Sequence, residues 1–495
     1  MIGAEWVKFR TVRGWILAAV IAAVAIAGFG IAGGVQGSCN QSACTQLVGP
    51  GGEAVSDSFY FVHQALAGNG SITARVTSLT STVRMPGGGA RRTVVPWAKA
   101  GIILKASLTP GSAYVAIIVT GSHGVAMQDN FTGDIAGPAT RAGWLQLARA
   151  GATITGYASP DGVRWTRVGT VKLPGLPTTV QGGLFTTSPQ YSQTSDGVAS
   201  ISGSPSQSTA VFGQPTLTWH GSTWTGTNVG GSSGGAAGPD TGYARTGSGF
   251  AITGSGDIAP ATSGASGIGV TIAQTLTGVF VALIILAVIG AMFITAEYRR
   301  GLIPVTLTAC PRRGKVLAAK AAVIGLVAFA AGLAGASVAV PLGQRLLRSD
   351  GAYVWPVTSL TELRVIVGTA AVIALCAVLA AVIALCAVLA VAIGTVLRRG
   401  ATAVAAVITL IVVPYVLTVP IPVLPLGAAD WLMRVTPAAA FAVEQTVIQY
   451  PQVDDVYAPA YGYYPLAAWA GCAVLCAWVA LALALAYVTL SRRDA

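Results

Sequence analysis

The sequence predicts a membrane α-helical protein with six transmembrane helices and an all-β jelly-roll or sandwich domain inserted between helices 1 and 2. Three observations lead to this prediction. Hydrophobic residues make up 53% of the 495 residues and charged residues only 9%, a composition typical of chains that lie in lipid. Six uncharged apolar runs have about the 20 residues that a helix needs to cross a bilayer. A long segment rich in Gly, Ser, Thr and Val separates the first run from the other five.

The apolar runs set the order of the elements, and the basic residues around them set the orientation. The runs cover residues 15–35, 276–296, 321–341, 365–397, 401–419 and 466–490. Thirteen Lys and Arg residues lie on the side of the two termini, against four in the opposite short loops. Because basic short loops stay in the cytoplasm, we expect a multi-pass plasma-membrane protein with cytoplasmic termini and an extracellular β domain. The net charge of +12 then reflects orientation in the bilayer, and we expect no nucleic-acid partner.

Two of the runs need separate explanation. The first run, of 21 residues, is longer than the apolar core of a cleaved signal peptide, so we expect a retained helix over residues 15–35. The fourth run contains "AVIALCAVLA" twice, at 371–380 and 381–390. The repeat offers no Gly, Pro or polar turn, which predicts one helix about 50 Å long rather than two short ones.

The insert has two parts. Residues 36–199 show short alternating runs divided by turn residues, including an Asp161-Gly162 hairpin turn, and are predicted to form the jelly roll. The stretches at 97–120 and 156–169 resemble strands of the concanavalin-like superfamily. Residues 200–266 are predicted to be a Gly/Ser-rich β segment and linker, and residues 267–495 hold helices 2 to 6.

The insert lacks the signatures of catalysis. Its acidic residues are scattered beside turns, whereas glycosidases pair two carboxylates across a sugar, so we expect no catalytic residue. Its histidines lack neighbouring ligands at metal spacing, and we expect no metal. Cys39 and Cys44 follow the first helix in an oxidising compartment, where their separation permits a disulfide.

The cytoplasmic segments carry the most specific pattern. Residues 1–14 are predicted to form an amphipathic helix with Ile2, Trp6 and Phe9 on one face and Glu5 and Lys8 on the other. The loop at 297–320 interrupts the helical pattern with Gly and Pro around an apolar stretch. Orientation explains its arginines but not that ordered arrangement, which favours a docking surface.

These segments resemble the permease subunits of type 2 ABC exporters. The resemblance rests on "EWVKFRTVRGW" (5–15), "TAEYRRGLIPVTLTACPRRGKVLAAK" (295–320) and "GTVLRRGATAVAAV" (394–407), with "GSGDIAP" (254–260) similar to actinobacterial members that carry an outer β insert. It implies that the loop holds a helix that couples to a separate ATPase. The implied coupling residues are Glu297, Tyr298, Arg299, Gly301, Leu302, Pro304, Leu307, Pro311, Arg312 and Arg313.

The resemblance also implies partners. The chain has no G-x-x-x-x-G-K-[ST] loop, so it is not expected to be an enzyme or to hold a cofactor. ATP and Mg²⁺ would bind an ABC ATPase subunit, and six spans would pair with a second permease copy, identical or different. In the outer hairpin before helix 6, Thr436 is expected to cap a helix begun by Pro437. Arg434 and an exposed or pore-facing Glu444 are candidates for the pathway.

Two functions follow from these patterns. The first is the permease of an ABC-type exporter for an apolar, amphipathic or lipid-linked compound. The alternative is a cell-surface sensor whose jelly roll recognises wall glycan or a drug and signals through the membrane part.

Overall fold

The computed structural model describes most of the chain. The described residues are 2–36, 46–85, 88–138, 143–194, 201–219, 223–231, 241–247, 249–262, 270–299, 313–391, 400–419, 424–453, 457–459 and 462–491.

The helices lie at the two ends of the sequence around a long run of strands. They are α1 (Ile2–Thr11), α2 (Arg13–Gln36), α3 (Val279–Arg299), α4 (Arg313–Ser349), α5 (Ser359–Val391), α6 (Gly400–Thr418), α7 (Leu426–Val435) and α8 (Ala468–Ser491), with two 3₁₀ helices, η1 (Ile272–Leu276) and η2 (Pro437–Glu444).

The strands of the first half of the β region are β1 (Leu47–Val48), β2 (Ala54–Asp57), β3 (Phe59–Ala67), β4 (Gly70–Arg84), β5 (Ala90–Arg92), β6 (Lys99–Lys105), β7 (Tyr114–Thr120), β8 (Val125–Asp129), β9 (Gly133–Ala136) and β10 (Trp144–Ala150). Those of the second half are β11 (Thr153–Ser159), β12 (Thr166–Lys172), β13 (Thr179–Thr187), β14 (Tyr191–Thr194), β15 (Ile201–Ser204), β16 (Ser206–Gly213), β17 (Thr216–Leu217), β18 (Thr225–Val229), β19 (Gly242–Thr246), β20 (Gly249–Gly254) and β21 (Ile258–Pro260).

The β region is a sandwich of two antiparallel sheets. The nine-stranded sheet has the order β12-β11-β10-β4-β16-β20-β19, with β5 and β17 also paired to β4, and the seven-stranded sheet has the order β18-β3-β13-β6-β7-β8-β9. Alternate side chains of both sheets, such as Ile72 and Leu147 from one and Val62 and Ile102 from the other, share one buried core. This arrangement agrees with the all-β sandwich that the sequence predicts. Strands from both sides of residue 199, including β4 and β16, share a sheet.

The seven-stranded sheet is buried on its second face as well. Phe59, Phe61 and Ile103 pack there beneath the small sheet β1-β2-β21. Lys105 also lies on this face, where its Nζ donates to Asp57 Oδ2 at 2.6 Å, and both side chains are fully buried. The backbone N–H of Gly111 donates to the same carboxylate oxygen at 2.6 Å, so Asp57 ties a loop and a strand together.

The predicted hairpin turn joins β11 to β12. The backbone N–H groups of Val163 and Arg164 donate to Asp161 Oδ1 at 2.9 and 2.8 Å, and these donors hold the pKa of Asp161 well below its usual value. Gly162 has φ +79°, which glycine adopts without steric cost.

The helices have the length and composition of membrane spans. In the described part of the chain, five are long and apolar enough to cross a bilayer: Arg13–Ala32, Val279–Ala296, Gly314–Ser349, Ser359–Cys386 and Ala468–Thr489; helix α6 adds a shorter apolar stretch, Thr409–Thr418. The chain is a multi-pass membrane protein. The duplicated segment at 371–390 runs within the single helix α5.

The membrane helices differ in how far they are covered by the protein. In α3, α4 and α5, half or more of the apolar stretch is buried inside the protein. In α2 and α8, only 17% and 22% of the corresponding stretch is buried. Helices α3, α4 and α5 therefore form the centre of the bundle, and α2 and α8 lie at its periphery.

The buried Lys105–Asp57 pair gives the first testable prediction. Replacing Lys105 with Met should destabilise the β domain by about 3 to 5 kcal/mol, because Asp57 would remain buried without its counter-charge. The double variant Lys105→Met, Asp57→Leu should recover much of this loss. Proteolysis of the full-length protein across a urea series would measure the change.

The control is Arg164→Met, because Arg164 pairs with Asp161 at the surface, where its side chain is 89% exposed. It should leave the urea midpoint nearly unchanged. A Lys105→Met variant as resistant as the wild type would contradict the assigned role of the pair.

Candidate functional site

The coupling segment implied by the sequence joins the end of α3 to the start of α4. Glu297, Tyr298 and Arg299 form the last turn of α3, and Arg313 begins α4. The remaining coupling residues, Gly301, Leu302, Pro304, Leu307, Pro311 and Arg312, lie outside the described residues. Helix α1 packs against α4, the helix that Arg313 begins.

A buried ion pair fixes α1 to α4. Lys320 Nζ donates to Glu5 Oε2 at 2.7 Å, and the two side chains are only 5% and 2% exposed. Lys8, one turn after Glu5, donates to the other carboxylate oxygen at 2.9 Å. Glu5 therefore points into the protein and not towards water. The charged face predicted for α1 is therefore partly buried, because Lys320 of α4 supplies a partner for Glu5 that helical periodicity cannot reveal.

Aromatic side chains surround this ion pair. Phe9 of α1 contacts Phe293 of α3 edge-on, with ring centroids 5.8 Å apart. Trp15 of α2 contacts the same ring at 5.2 Å, and Lys320 Nζ lies 4.8 Å from its centre. We call Glu5, Phe9, Trp15, Phe293 and Lys320 the α1 lock. It joins α1 and α2 to both helices that border the coupling segment.

The second group of candidate residues lies in the hairpin α7-η2. The structure places Arg434 at the exposed end of α7. Glu444 is 5% exposed, and its Oε1 accepts a hydrogen bond from Thr369 Oγ1 of α5 at 3.2 Å. Glu444 is therefore not on an exposed surface of this conformation, and the two candidates lie in different environments.

The 3₁₀ helix η2 carries Glu444 into the bundle. Pro437 begins this helix after Thr436, as expected, but the Thr436 hydroxyl donates to the Leu432 carbonyl at 2.8 Å and does not cap the helix. All eight residues of η2 are buried. Glycines make room for it, because a Cβ at Gly368 would collide with Val443 and one at Gly471 with the Ala439 carbonyl.

Aromatic rings and hydroxyls line the same region. Phe280 of α3, Tyr415 of α6 and Phe441 of η2 form a trio with ring centroids 4.4 to 5.2 Å apart. The Tyr415 and Tyr464 hydroxyls are hydrogen-bonded to each other. A carboxyl group beside hydroxyls and rings can bind a proton or a cationic group.

The hairpin is held from both ends. An Arg364 guanidinium nitrogen donates to the Gln445 carbonyl, directly after Glu444. Trp478 Nε1 of α8 donates to the Val435 carbonyl, at the end of α7, at 2.9 Å. Residues of α5 and α8 thus position the segment that carries Glu444.

The β domain contacts the membrane part through Gln452. Gln452, which follows the hairpin and is 2% exposed, donates to the carbonyls of Phe131 and Thr132, each at 3.3 Å. Those carbonyls belong to the β8–β9 turn, where Asn130 and Phe131 have φ of 42° and 66°. The segment that follows the hairpin α7-η2 therefore supports a turn of the β domain. Within the membrane part, Val270, before η1, forms a parallel bridge with Val354 in the α4–α5 loop.

Sequence reasoning missed Gln452, Arg364 and Thr369 because nothing in their local patterns marks a partner. The i, i+3 spacing of Glu5 and Lys8 was the one local signal for the α1 lock.

Cys39 and Cys44 lie outside the described residues. Among the described residues, no three His, Cys, Asp or Glu side chains are grouped to hold a metal ion.

Comparison with known proteins gives one informative match. No curated protein matches the chain. One similar solved structure, of a functionally unknown protein from Saccharomyces cerevisiae, is 14% identical, covers 32% of this chain and 75% of its own, and has a TM-score of 0.17, which is too low to support an argument. Residues 184–495 match the family model described as ABC-2 family transporter protein. This match spans more than half of the chain, including the coupling junction, η2 and helices α3 to α8. The chain therefore belongs to the ABC-2 transporter family, as a permease-type membrane component.

Proposed function

We propose that this protein is the permease subunit of an ATP-driven exporter and forms the transmembrane pathway, while a separate ABC ATPase hydrolyses ATP. The observation that carries the proposal is the α1 lock beside the junction of α3 and α4. A coupling segment must transmit a push to the helices, and this junction is bordered by helices that a buried ion pair and stacked rings join together. A rigid connection of this kind passes movement on to α1, α2 and α4 as a unit.

The orientation and assembly follow from the same proposal. Both termini and the α3–α4 junction would lie in the cytoplasm, where the ATPase binds, and the β domain would lie outside the cell. The peripheral helices α2 and α8 would face lipid or a second permease copy, which is consistent with the exposed side chains of Val24, Phe29, Trp469 and Leu485. Two permeases and two ATPases would complete the transporter, with ATP and Mg²⁺ on the ATPase chains.

The pathway in this proposal passes the hairpin α7-η2. Glu444 is a carboxyl group held among apolar side chains near the outer ends of the helices, a location where ionisable groups are costly and commonly functional. Its described hydrogen-bond partner is the Thr369 hydroxyl, so no cation within the described residues is seen to neutralise it. We propose that it interacts with the cargo, or with a proton, when the hairpin moves.

A second function is favoured by one observation. The contact of Gln452 with the β8–β9 turn places the β domain against the hairpin, so the domain is positioned to sense a ligand outside the cell. A sensor that signals through the membrane part would use this contact. A protein that only displayed a domain at the cell surface would need one membrane helix. The several membrane helices of this chain therefore favour the permease.

The coupling proposal predicts the effect of charge reversal. Replacing Arg312 and Arg313 with Glu should reduce the amount of ABC ATPase that copurifies in mild detergent, and the ATPase activity of the complex, by about tenfold, because each reversal removes a charge and adds repulsion. Reversal of Arg492 and Arg493 at the C-terminus is the matched control and should have little effect. Failure of any ATPase to copurify, with unchanged activity after reversal at Arg312 and Arg313, would exclude the proposal.

The α1 lock predicts a double-mutant pattern. Glu5→Met alone should break the buried ion pair with Lys320 and destabilise the packing of α1 by about 3 to 5 kcal/mol, and Lys320→Met alone should destabilise it as well. The double variant Glu5→Met, Lys320→Met should recover much of the lost thermal stability in detergent. Lys8→Met, at a half-exposed side chain, is the comparison. Independent, additive effects of the two single changes would show that the pair does not act as a unit.

The pathway proposal predicts the effect of removing one charge. Glu444→Gln keeps the size of the side chain and its bond with Thr369, so the complex with the ATPase should assemble normally. Transport of a fluorescent amphiphile into inverted vesicles should fall about tenfold, because losing one charge-assisted contact of moderate strength changes an equilibrium by about that factor. Arg434→Gln is the comparison at the exposed candidate. Normal transport by Glu444→Gln would remove Glu444 from the pathway.

A further inference from the structure

The nine-stranded sheet has an outer face that does not pack against the seven-stranded sheet. Side chains alternate between the two faces of a strand. In β4, Ile72 and Ala74 face the core, so Ser71, Thr73 and Arg75 face outward. The strand register then identifies the outward residues of the neighbouring strands.

The register places several of these residues in rows across the sheet. Thr73 of β4 pairs with Gln146 of β10, Gln146 pairs with Tyr157 of β11, and Tyr157 pairs with Arg167 of β12. In the next row, Arg75 pairs with Trp144. Further along β12, Lys172 pairs with Thr153. Arg75, Arg167 and Lys172 therefore share one face.

This face is basic. Five exposed cations lie on it, and Arg84 and Arg92 join the three above because Arg92 pairs with Thr82, which alternates with the buried Val83. The strands of this sheet carry no acidic residue among the residues that the structure describes. The cations of the seven-stranded sheet are used differently, because Lys99 and Lys105 are buried in pairs with Asp257 and Asp57.

The acidic residues that the structure describes in this domain also lie away from this face. Asp129 and Asp134 belong to β8 and β9 of the other sheet, and Asp161 forms the turn between β11 and β12. The domain is therefore divided by charge, with its unpaired cations on the strands of one sheet. Scattered surface charges would not produce this division.

Hydroxyl and amide groups fill the space between the cations. Thr155 and Thr170 contact each other at 3.2 Å across β11 and β12, Gln146 donates to Thr73 at 3.1 Å, and Thr209 contacts Thr253 at 2.8 Å. Such groups can donate to phosphate oxygens or bond with sugar and polyol hydroxyls. None of the outward-facing residues of these strands is an exposed large hydrophobic side chain, which disfavours insertion into a bilayer.

We propose that this face binds a phosphate-bearing polymer outside the membrane, through Arg75, Arg167 and Lys172. Strands lie about 4.8 Å apart, so the three strand steps from Arg167 to the β4 row span about 14 Å. Five residues from Arg167 to Lys172 span about 17 Å along the strand. A surface of these dimensions fits several successive phosphates of a chain and not one small anion. This inference goes beyond transport and does not depend on the direction or cargo of the permease.

Binding of inorganic polyphosphate to the full-length protein in neutral-lipid nanodiscs tests the proposal. The wild type should bind, and the logarithm of its affinity should fall linearly with the logarithm of the salt concentration, as counterions are released from the polymer. The triple variant Arg75→Gln, Arg167→Gln, Lys172→Gln should lose about tenfold or more in affinity and show a salt slope flatter by about two to three units.

Two matched variants make the result specific. Arg91→Gln, Arg164→Gln, Arg245→Gln removes the same charge from exposed positions off this face and should retain the wild-type salt slope. Arg75→Lys, Arg167→Lys keeps the charge and should retain binding. All these positions are exposed, so unchanged thermal unfolding should accompany every variant.

Three results would overturn the proposal. An equal loss in both triple variants would show attraction by net charge alone. Unchanged affinity of the first triple variant would place binding elsewhere. Binding to vesicles containing anionic lipid, with none to polyphosphate, would make the face a membrane-surface contact.

Discussion

The Glu5–Lys320 ion pair is the interaction on which the position of α1, and the packing beside the α3–α4 junction, depends. A short helix of ten residues has little stability of its own in water, so α1 needs tertiary contacts to hold its position. The buried pair and the rings of Phe9, Trp15 and Phe293 supply them. Because this ion pair between α1 and α4 is buried, separating the two helices would expose or strand charges that now neutralise each other, so α1 and α4 are expected to move together. The coupling segment begins and ends next to this joined unit.

The end of the helix bundle that contacts the β domain depends on the hairpin α7-η2 in a comparable way. Contacts from α5 and α8 hold the hairpin inside the bundle, and Gln452 extends it to the β domain. The same segment therefore contacts a buried carboxyl group at one end and an outer domain at the other. A change in the position of the hairpin would alter the surroundings of Glu444 and the support of the β domain together. This gives the β domain a structural connection to the region around Glu444 that a domain on a flexible linker would lack.

The two sheets of the β domain differ in how their charged side chains are accommodated. Its seven-stranded sheet is covered on both faces, and the lysines of its covered second face are neutralised by Asp57 and Asp257. Its nine-stranded sheet keeps one face open and places cations there. Charge is thus paired where water is excluded and left unpaired where water or a ligand can reach it. This separation follows the cost of burying an unpaired charge.

Composition, apolar run length and strand alternation determined the classes of structure in this chain. A run of about 20 apolar residues can satisfy its backbone in lipid only as a helix, and Asp161-Gly162 specifies its turn by local geometry, so these features were predictable. Partners distant in sequence were not predictable. Periodicity places Glu5 on the charged face of its helix, and only packing brings Lys320 against it. Glu444 was predicted to be exposed or pore-facing, and only the close approach of η2 to Gly368 and Gly471 shows that it is buried. The sequence by itself determined which elements form, because local hydrogen bonding and hydrophobic periodicity act over a few residues. The tertiary structure decided which charges are paired, which are buried and which share a face, because those depend on contacts between residues as many as 321 positions apart.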